Sequence, residues 1–171
     1  LSQSTNDVFH TAIHISSYLE IKKELLPVLK NLEKELRNKS KKWETILKSG
    51  RTHLMDAVPM TLGQEFSGYF ATINKDIKHI VDASKQLLEI NIGGTAIGTK
   101  LNIGKDYYKN VIKEINKITK INFRHSKNLF EGTSSLDAIL LTSSSLKILA
   151  INLIKIANDL RLLCSGPATG L

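Results

Sequence analysis

The stretch from about Ser134 to Leu163 repeats apolar residues at helical spacing along its whole length. Its apolar positions are Leu136, Leu140, Leu141, Leu146, Leu149, Ala150, Leu153, Ile156, Ala157, Leu160 and Leu163. So wide an apolar face on so long a helix predicts burial between several helices or subunits. The chain has only three prolines and ten glycines, which also suits long helices. The sequence therefore predicts an all-α fold, a bundle of long, roughly antiparallel helices.

Other segments show the same spacing and end at recognisable helix signals. Pro27 lacks a backbone N–H, so it is expected to kink a helix or begin a new one. Thr61 and Gln64 have the spacing of a capping box, with the hydroxyl at the cap and the amide three residues later. Predicted helices cover residues 6–25, 27–47, 61–89 and 106–119, while 120–132 are expected to be irregular. A chain of 171 residues is long enough for one domain with a sizeable core, so a single domain over 1–171 is predicted.

Composition excludes several classes of function. The formal net charge is +8, but the lysines alternate with glutamates along the helices, which favours a solvated face over a nucleic-acid interface. No unbroken run of about 18 apolar residues is present, so no membrane span is predicted. The single Cys164 indicates a reducing compartment, and its leucine neighbours predict a buried thiol. The five histidines are dispersed, so no metal site is predicted.

Thr52 and His53 stand side by side in a polar segment that begins at Gly50 and leads into a predicted helix. Imidazole titrates near neutral pH, so this pair is a candidate for holding an anion and moving a proton. Taken alone, such a dipeptide is more often an ordinary loop.

A second polar cluster, Ser4-Thr5-Asn6-Asp7, precedes the first helix. Any of its four side chains is able to cap that helix. Hydroxyls, an amide and free backbone N–H groups at a helix start also form an anion site. From the residues alone, capping is the commoner role.

Residues 91–104 are rich in glycine but do not predict a phosphate-binding loop. No buried strand precedes them, and the Gly-Lys-Ser/Thr ending of a P-loop is missing. The loop is expected to be structural and to line a site at most.

Four blocks in order resemble the class II fumarases of the fumarase/aspartase superfamily. Gly50–Glu65 resembles their Gly-Arg-Thr-His-Leu-Gln-Asp-Ala-Val-Pro-Leu-Thr-Leu-Gly-Gln-Glu segment, and Ser2–Phe9 resembles their Ser-Ser-Asn-Asp region. The glycine-rich loop is similar to Gly-Gly-Thr-Ala-Val-Gly-Thr-Gly-Leu-Asn, with Lys100 in place of a Gly. Lys155–Arg161 is similar to the family over the last helix. Asn128–Glu131 is only a partial match to the family's Asn-Lys-Phe-Glu, because Leu129 takes the place of the Lys.

This resemblance implies the central helical domain of a longer chain that reversibly hydrates fumarate to L-malate, without a cofactor. It implies homotetramers whose active sites combine segments of three subunits. Ser4, Thr5, Asn6 and Thr52 would bind the carboxylates of a small dicarboxylate, and His53 would hold a water or carry a proton. The expected location is the cytoplasm, or the mitochondrial matrix in a eukaryote, with no nucleic acid or membrane as partner.

The resemblance also places the family's flexible Gly-Ser-Ser loop beyond Leu171 and a substrate-binding Thr segment before Leu1. The 171-residue piece alone is therefore expected to be inactive. Two alternatives stay open: an aspartate ammonia-lyase, although aspartases carry Gln at the position of His53, and a non-catalytic helical oligomerisation module.

Overall fold

The computed structural model describes residues 3–166 and is 69% helical, which confirms the predicted all-α class. The α-helices are α1 (Thr5–Glu20), α2 (Leu26–Lys42), α3 (Leu62–Ser84), α4 (Lys105–Thr119), α5 (Leu129–Ser134) and α6 (Asp137–Leu163). A π-helical turn, Ile21–Leu25, follows α1, and a 3₁₀ turn, Lys85–Leu88, follows α3. Strands β1 (Leu47–Thr52) and β2 (Met55–Thr61) pair antiparallel, and the two-residue strands β3 (Glu89–Ile90) and β4 (Arg124–His125) pair parallel.

The predicted helix signals lie at the observed helix ends. The backbone N–H of Thr61 donates to the Gln64 side chain at 2.9 Å, and the Gln64 N–H donates to the Thr61 hydroxyl at 3.1 Å, which is the reciprocal capping box. The π-helical turn immediately before α2 accommodates Pro27, whose missing N–H breaks the regular hydrogen-bond ladder. The second helix ends at Lys42 rather than near residue 47, because the chain turns there into β1.

The chain divides into two compact units. The first takes in the chain up to Leu25 together with Ile80–Ser144, and the second takes in Leu26–His79 and the chain from Ser145 onward. The core of the first unit is a buried cluster of Ile90, Ile92, Ile121 and Phe123. Side chains of α1 and α4 pack against this cluster, so both helices are fixed on the short β3–β4 pair.

The second unit has an aromatic core. The Trp43 and Phe66 rings meet edge to face with centroids 4.7 Å apart, and the Phe66 and Tyr69 rings do so at 5.3 Å. A Cβ at Gly63 would lie 2.4 Å from the Ser40 carbonyl oxygen, so only glycine permits this approach of α3 to α2. These contacts hold the start of α3, and with it the end of the β1–β2 hairpin.

Helix α6 is apolar enough to differ from the sequence prediction that no segment has the length and composition of a membrane span. Within residues 3–166 it is the one helix long and apolar enough, by length and composition, to cross a membrane. Polar residues at 142–145 interrupt its apolar sequence, so the helix contains no unbroken run of about 18 apolar residues, and the sequence prediction of no membrane span did not take its overall apolarity into account. Only 22% of the most apolar 18-residue stretch of this helix is buried. Leu140, Ile151 and Ile154 are 60%, 56% and 61% exposed. This helix therefore presents a large apolar surface in the single chain.

The prediction of a buried Cys164 was wrong. The thiol is exposed one residue beyond the end of α6. Leucines at 162 and 163 indicated burial, but at the end of a helix neighbouring residues point in different directions, so their burial says little about that of the next residue.

Candidate active site

Three of the predicted site residues lie together at the start of α1. Ser4 is the N-cap: it has an extended backbone and its hydroxyl accepts from the Asn6 N–H at 3.2 Å. Thr5 and Asn6 open the first turn and both are exposed. This helix start therefore exposes a hydroxyl and an amide beside a capped N-terminus, the combination that binds carboxylates.

Asp7 completes the cap and is fully buried, with 0% of its surface exposed. One carboxylate oxygen, Oδ1, accepts from the Ser4 backbone N–H at 2.9 Å. The other, Oδ2, accepts from the backbone N–H groups of Gly93 and Thr95 at 2.9 and 3.1 Å. From the sequence alone Asp7 is only a possible cap, because nothing near it in the sequence indicates backbone donors more than eighty residues away.

The glycine-rich loop lies against the start of α1, as its expected structural role requires. The Asn6 side-chain N–H donates to the Ala96 carbonyl at 2.8 Å, which sets the direction of this exposed amide. Gly93 has φ +87°, and a Cβ there would lie 2.8 Å from the Tyr108 ring. Thr95 has φ +61°, which a β-branched residue rarely adopts and which costs about 1–3 kcal/mol.

Thr52 and His53 lie at the tip of the β1–β2 hairpin. Thr52 pairs with Met55, so His53 and Leu54 are the two central residues of the turn. Their φ angles are +53° and +63°, the signs of a type I′ turn, for which Asn-Gly is the preferred sequence. A bulky leucine with positive φ is strained, and such strain concentrates at functional sites.

A cavity of about 380 Å³ lies beside His53 within the second unit. Its lining includes the cations Lys48, Arg51 and Lys155 and the anions Glu65 and Asp159. Lys48 forms an ion pair with Glu65, and Lys155 forms one with Asp159. Both carboxylates are paired with lysines, and the cations of the lining outnumber its anions. The net charge around the imidazole is therefore positive, which suits the approach of an anion.

Tyr69 holds Glu65, one of the residues that line this cavity, in place. Its hydroxyl donates to the Glu65 carboxylate at 3.0 Å, and Tyr69 as a whole residue is only 5% exposed. Burial, followed by the Glu65 hydrogen bond, raises the pKa of Tyr69 far above its ordinary value. Glu65 thus receives hydrogen bonds from both Tyr69 and Lys48.

The two groups of predicted site residues belong to different units. Ser4, Thr5 and Asn6 are part of the first, and Thr52 and His53 are part of the second. The structure brings together the members of each group, and all except half-buried Ser4 are exposed to solvent.

A family model described as lyase matches residues 1–171 of this chain. The chain belongs to the lyase family. Class II fumarate hydratase of Helicobacter pylori is 47% identical over 171 residues, which are 100% of this chain and 37% of that relative. Aspartate ammonia-lyase of Bacillus subtilis is 44% identical over 171 residues, 100% of this chain and 36% of that relative. The chain thus spans little more than a third of the length of these curated relatives.

Solved structures of the lyase family show the same fold. Class II fumarase from Schistosoma mansoni superimposes with a TM-score of 0.95 at 32% identity, over 99% of this chain and 39% of that one. A structure described as fumarate lyase:delta crystallin from Brucella melitensis, bound to cobalt, superimposes with a TM-score of 0.93 at 40% identity. The match covers 99% of this chain and 37% of that one. The all-α architecture is therefore that of the family.

Two other histidines of the chain are fixed by backbone carbonyls. The His14 ring donates from Nδ1 to the Glu89 carbonyl at 2.7 Å, and the His125 ring donates from Nε2 to the Tyr108 carbonyl at 2.9 Å. Burial lowers the pKa of both rings below 6.5. His79 is exposed. Within residues 3–166, no three His, Cys, Asp or Glu side chains form a metal-binding group.

Proposed function

We propose that residues 1–171 form the central helical domain of a class II fumarate hydratase, which reversibly hydrates fumarate to L-malate. The observation that carries this proposal is the strained hairpin turn that exposes His53, within a chain that resembles class II fumarate hydratases over its whole length. A turn built for stability alone would place Asn-Gly there. The strain lies at Leu54, and a strained turn that exposes an imidazole is explained by a chemical task.

In this mechanism, Ser4, Thr5, Asn6 and Thr52 bind the carboxylates of the dicarboxylate. The carbon next to a carboxylate is weakly acidic, so a base removes its proton only if hydrogen bonds stabilise the charge that the carboxylate takes up. The capped start of α1 supplies hydrogen-bond donors and a favourable helix dipole. His53 holds the water or carries the proton. No cofactor is needed for these steps.

The active site is proposed to form in a homotetramer, with the Ser4–Asn6 and Thr52–His53 segments supplied by different subunits. The exposed apolar side chains of α6 support this assembly, because a monomer in water would leave that surface unburied. On this proposal, α6 is covered by other copies of the chain rather than by lipid, and the protein functions in the cytoplasm or the mitochondrial matrix, with no nucleic-acid partner.

Since the chain spans about 37% of its curated relatives, the activity is proposed for the longer protein that contains it. The 171-residue piece alone is proposed to be inactive. Malate dehydration by a purified 171-residue piece, free of the longer protein, would refute this point.

The competing function within the family is that of an aspartate ammonia-lyase, which a relative at 44% identity supports. An assay of the longer protein with L-malate and with L-aspartate separates the two, by following fumarate formation in each case. We expect fumarate from malate and none above background from aspartate. The reverse result would replace the hydratase with an ammonia-lyase, and no activity with either would favour a helical oligomerisation module.

A further inference from the structure

We propose that Asp7 is a positioning residue: through the loop at Gly93–Ala96 it fixes the direction of the Asn6 side-chain amide, and thereby the affinity of the site for a dicarboxylate. This inference rests on the proposed function, because it assigns Asn6 to the carboxylate. It adds a buried residue and a loop to which no step of the reaction has been assigned.

The carboxylate of Asp7 connects two segments that are far apart in the sequence. Its Oδ1 accepts from the Ser4 N–H on α1, while Oδ2 accepts from Gly93 and Thr95 in the loop. Converging backbone N–H groups form a concave anion site, and here that site is filled by a side chain of the protein itself. With no exposed surface, the carboxylate depends on these donors in place of water.

The loop in turn directs the amide of Asn6. The Ala96 carbonyl, one residue after Thr95, accepts one of the two Nδ2 hydrogens of Asn6 at 2.8 Å. The other hydrogen remains to donate to a ligand. Asn91 adds a second connection, since its side-chain N–H groups donate to the Asn6 carbonyl and the Thr133 hydroxyl, each at 3.4 Å.

Thr95 shows that the loop is held rather than relaxed. Its φ of +61° is unfavourable for a β-branched residue, and its N–H is one of the two loop donors to Asp7. Without the carboxylate, the backbone at Thr95 is free to leave this conformation. The Ala96 carbonyl then moves, and the Asn6 amide loses its fixed direction.

The test uses Asp7→Asn in the full-length protein, with kcat and KM measured for fumarate. An asparagine has one carbonyl oxygen, so its NH₂ group must face either the Ser4 N–H or the loop N–H groups. We expect kcat/KM to fall about 10- to 100-fold, mostly through KM, because a charge-assisted network is lost next to a carboxylate-binding group. An unchanged KM would overturn the proposal.

A double-mutant cycle separates positioning from a general loss of stability. If Asp7 acts through Asn6, then Asp7→Asn lowers kcat/KM by no more than about twofold in an Asn6→Ala background. A purely structural role would give additive losses. Thr95→Gly supplies the rescue: glycine adopts positive φ without strain, so Asp7→Asn with Thr95→Gly should recover at least about fivefold of the lost kcat/KM.

Asp76→Asn is the matched control. Asp76 is 2% exposed, and both of its oxygens accept from the Asn152 side chain at 2.9 Å, within the second unit. We expect it to lower the melting temperature while KM stays within about twofold of wild type. If it raises KM as Asp7→Asn does, the effect is a general one of buried carboxylates and the proposal falls. If the wild-type protein acts on aspartate instead of fumarate, the hydratase proposal fails, and the same cycle measured on aspartate decides the role of Asp7.

Discussion

Replacing His53 by asparagine separates the chemistry of this residue from its place in the fold. His53 occupies the first central position of a type I′ turn with φ +53°, which asparagine adopts readily. The side chain is exposed, so the substitution removes almost no buried contact. The hairpin should therefore persist while the imidazole is lost.

The expected magnitude follows from the role proposed for the imidazole. Proton transfer by a positioned side chain contributes about 100- to 10,000-fold to a rate, so His53→Asn should lower kcat of the proposed full-length hydratase by that factor. His53→Ala removes the same imidazole, but alanine at positive φ costs about 1 kcal/mol. The hairpin amides of that variant should exchange with deuterium about fivefold faster, whereas those of His53→Asn should exchange no faster than wild type.

The assay is fumarate hydration followed by ultraviolet absorbance, paired with hydrogen exchange of residues 47–61. Similar losses of activity in both variants, with different exchange rates, would show that the imidazole and not the turn carries the rate. A His53→Asn enzyme with kcat within about threefold of wild type would refute the reasoning, since no general acid–base role produces so small an effect.

Three further predictions follow from the fold. Burial lowers the pKa of His14 below 6.5, so the unfolded chain binds a proton more readily than the folded one. The free energy of unfolding should therefore fall as pH drops below about 6.5. His14→Gln should lessen that fall, measured by denaturant titrations at about pH 7 and about pH 5. Gly63→Ala places a Cβ 2.4 Å from the Ser40 carbonyl oxygen and should destabilise the chain by about 1–3 kcal/mol, measured by denaturant midpoint; a neutral result would mean that α3 moves away from α2 without cost. Burial raises the pKa of Tyr69, so its phenol should stay protonated up to about pH 11 in the folded chain. A Tyr69→Phe variant whose ultraviolet titration up to that pH matches wild type would support this, and loss of one ionising group in that variant would contradict it.

Much of the helical framework was predictable because helix formation depends on neighbours in the sequence. The spacing of apolar residues predicted α1, α3, α4 and α6 to within a few residues, and Thr61 with Gln64 marked the start of α3. The hairpin was not predicted. Its strands have no alternation of buried and exposed residues, so the period of two that identifies a strand is absent.

The sequence by itself determined the helices, their caps and, through motifs spanning the chain, the lyase family. Only the tertiary structure decided that Asp7 accepts hydrogen bonds from Gly93 and Thr95, that His53 lies in a strained turn, and that Cys164 is exposed. The physical reason is the separation in sequence between the residues that interact. A helix is encoded by residues three or four positions apart, whereas the burial of a carboxylate and the strain of a backbone angle depend on partners that the chain brings together only when it folds.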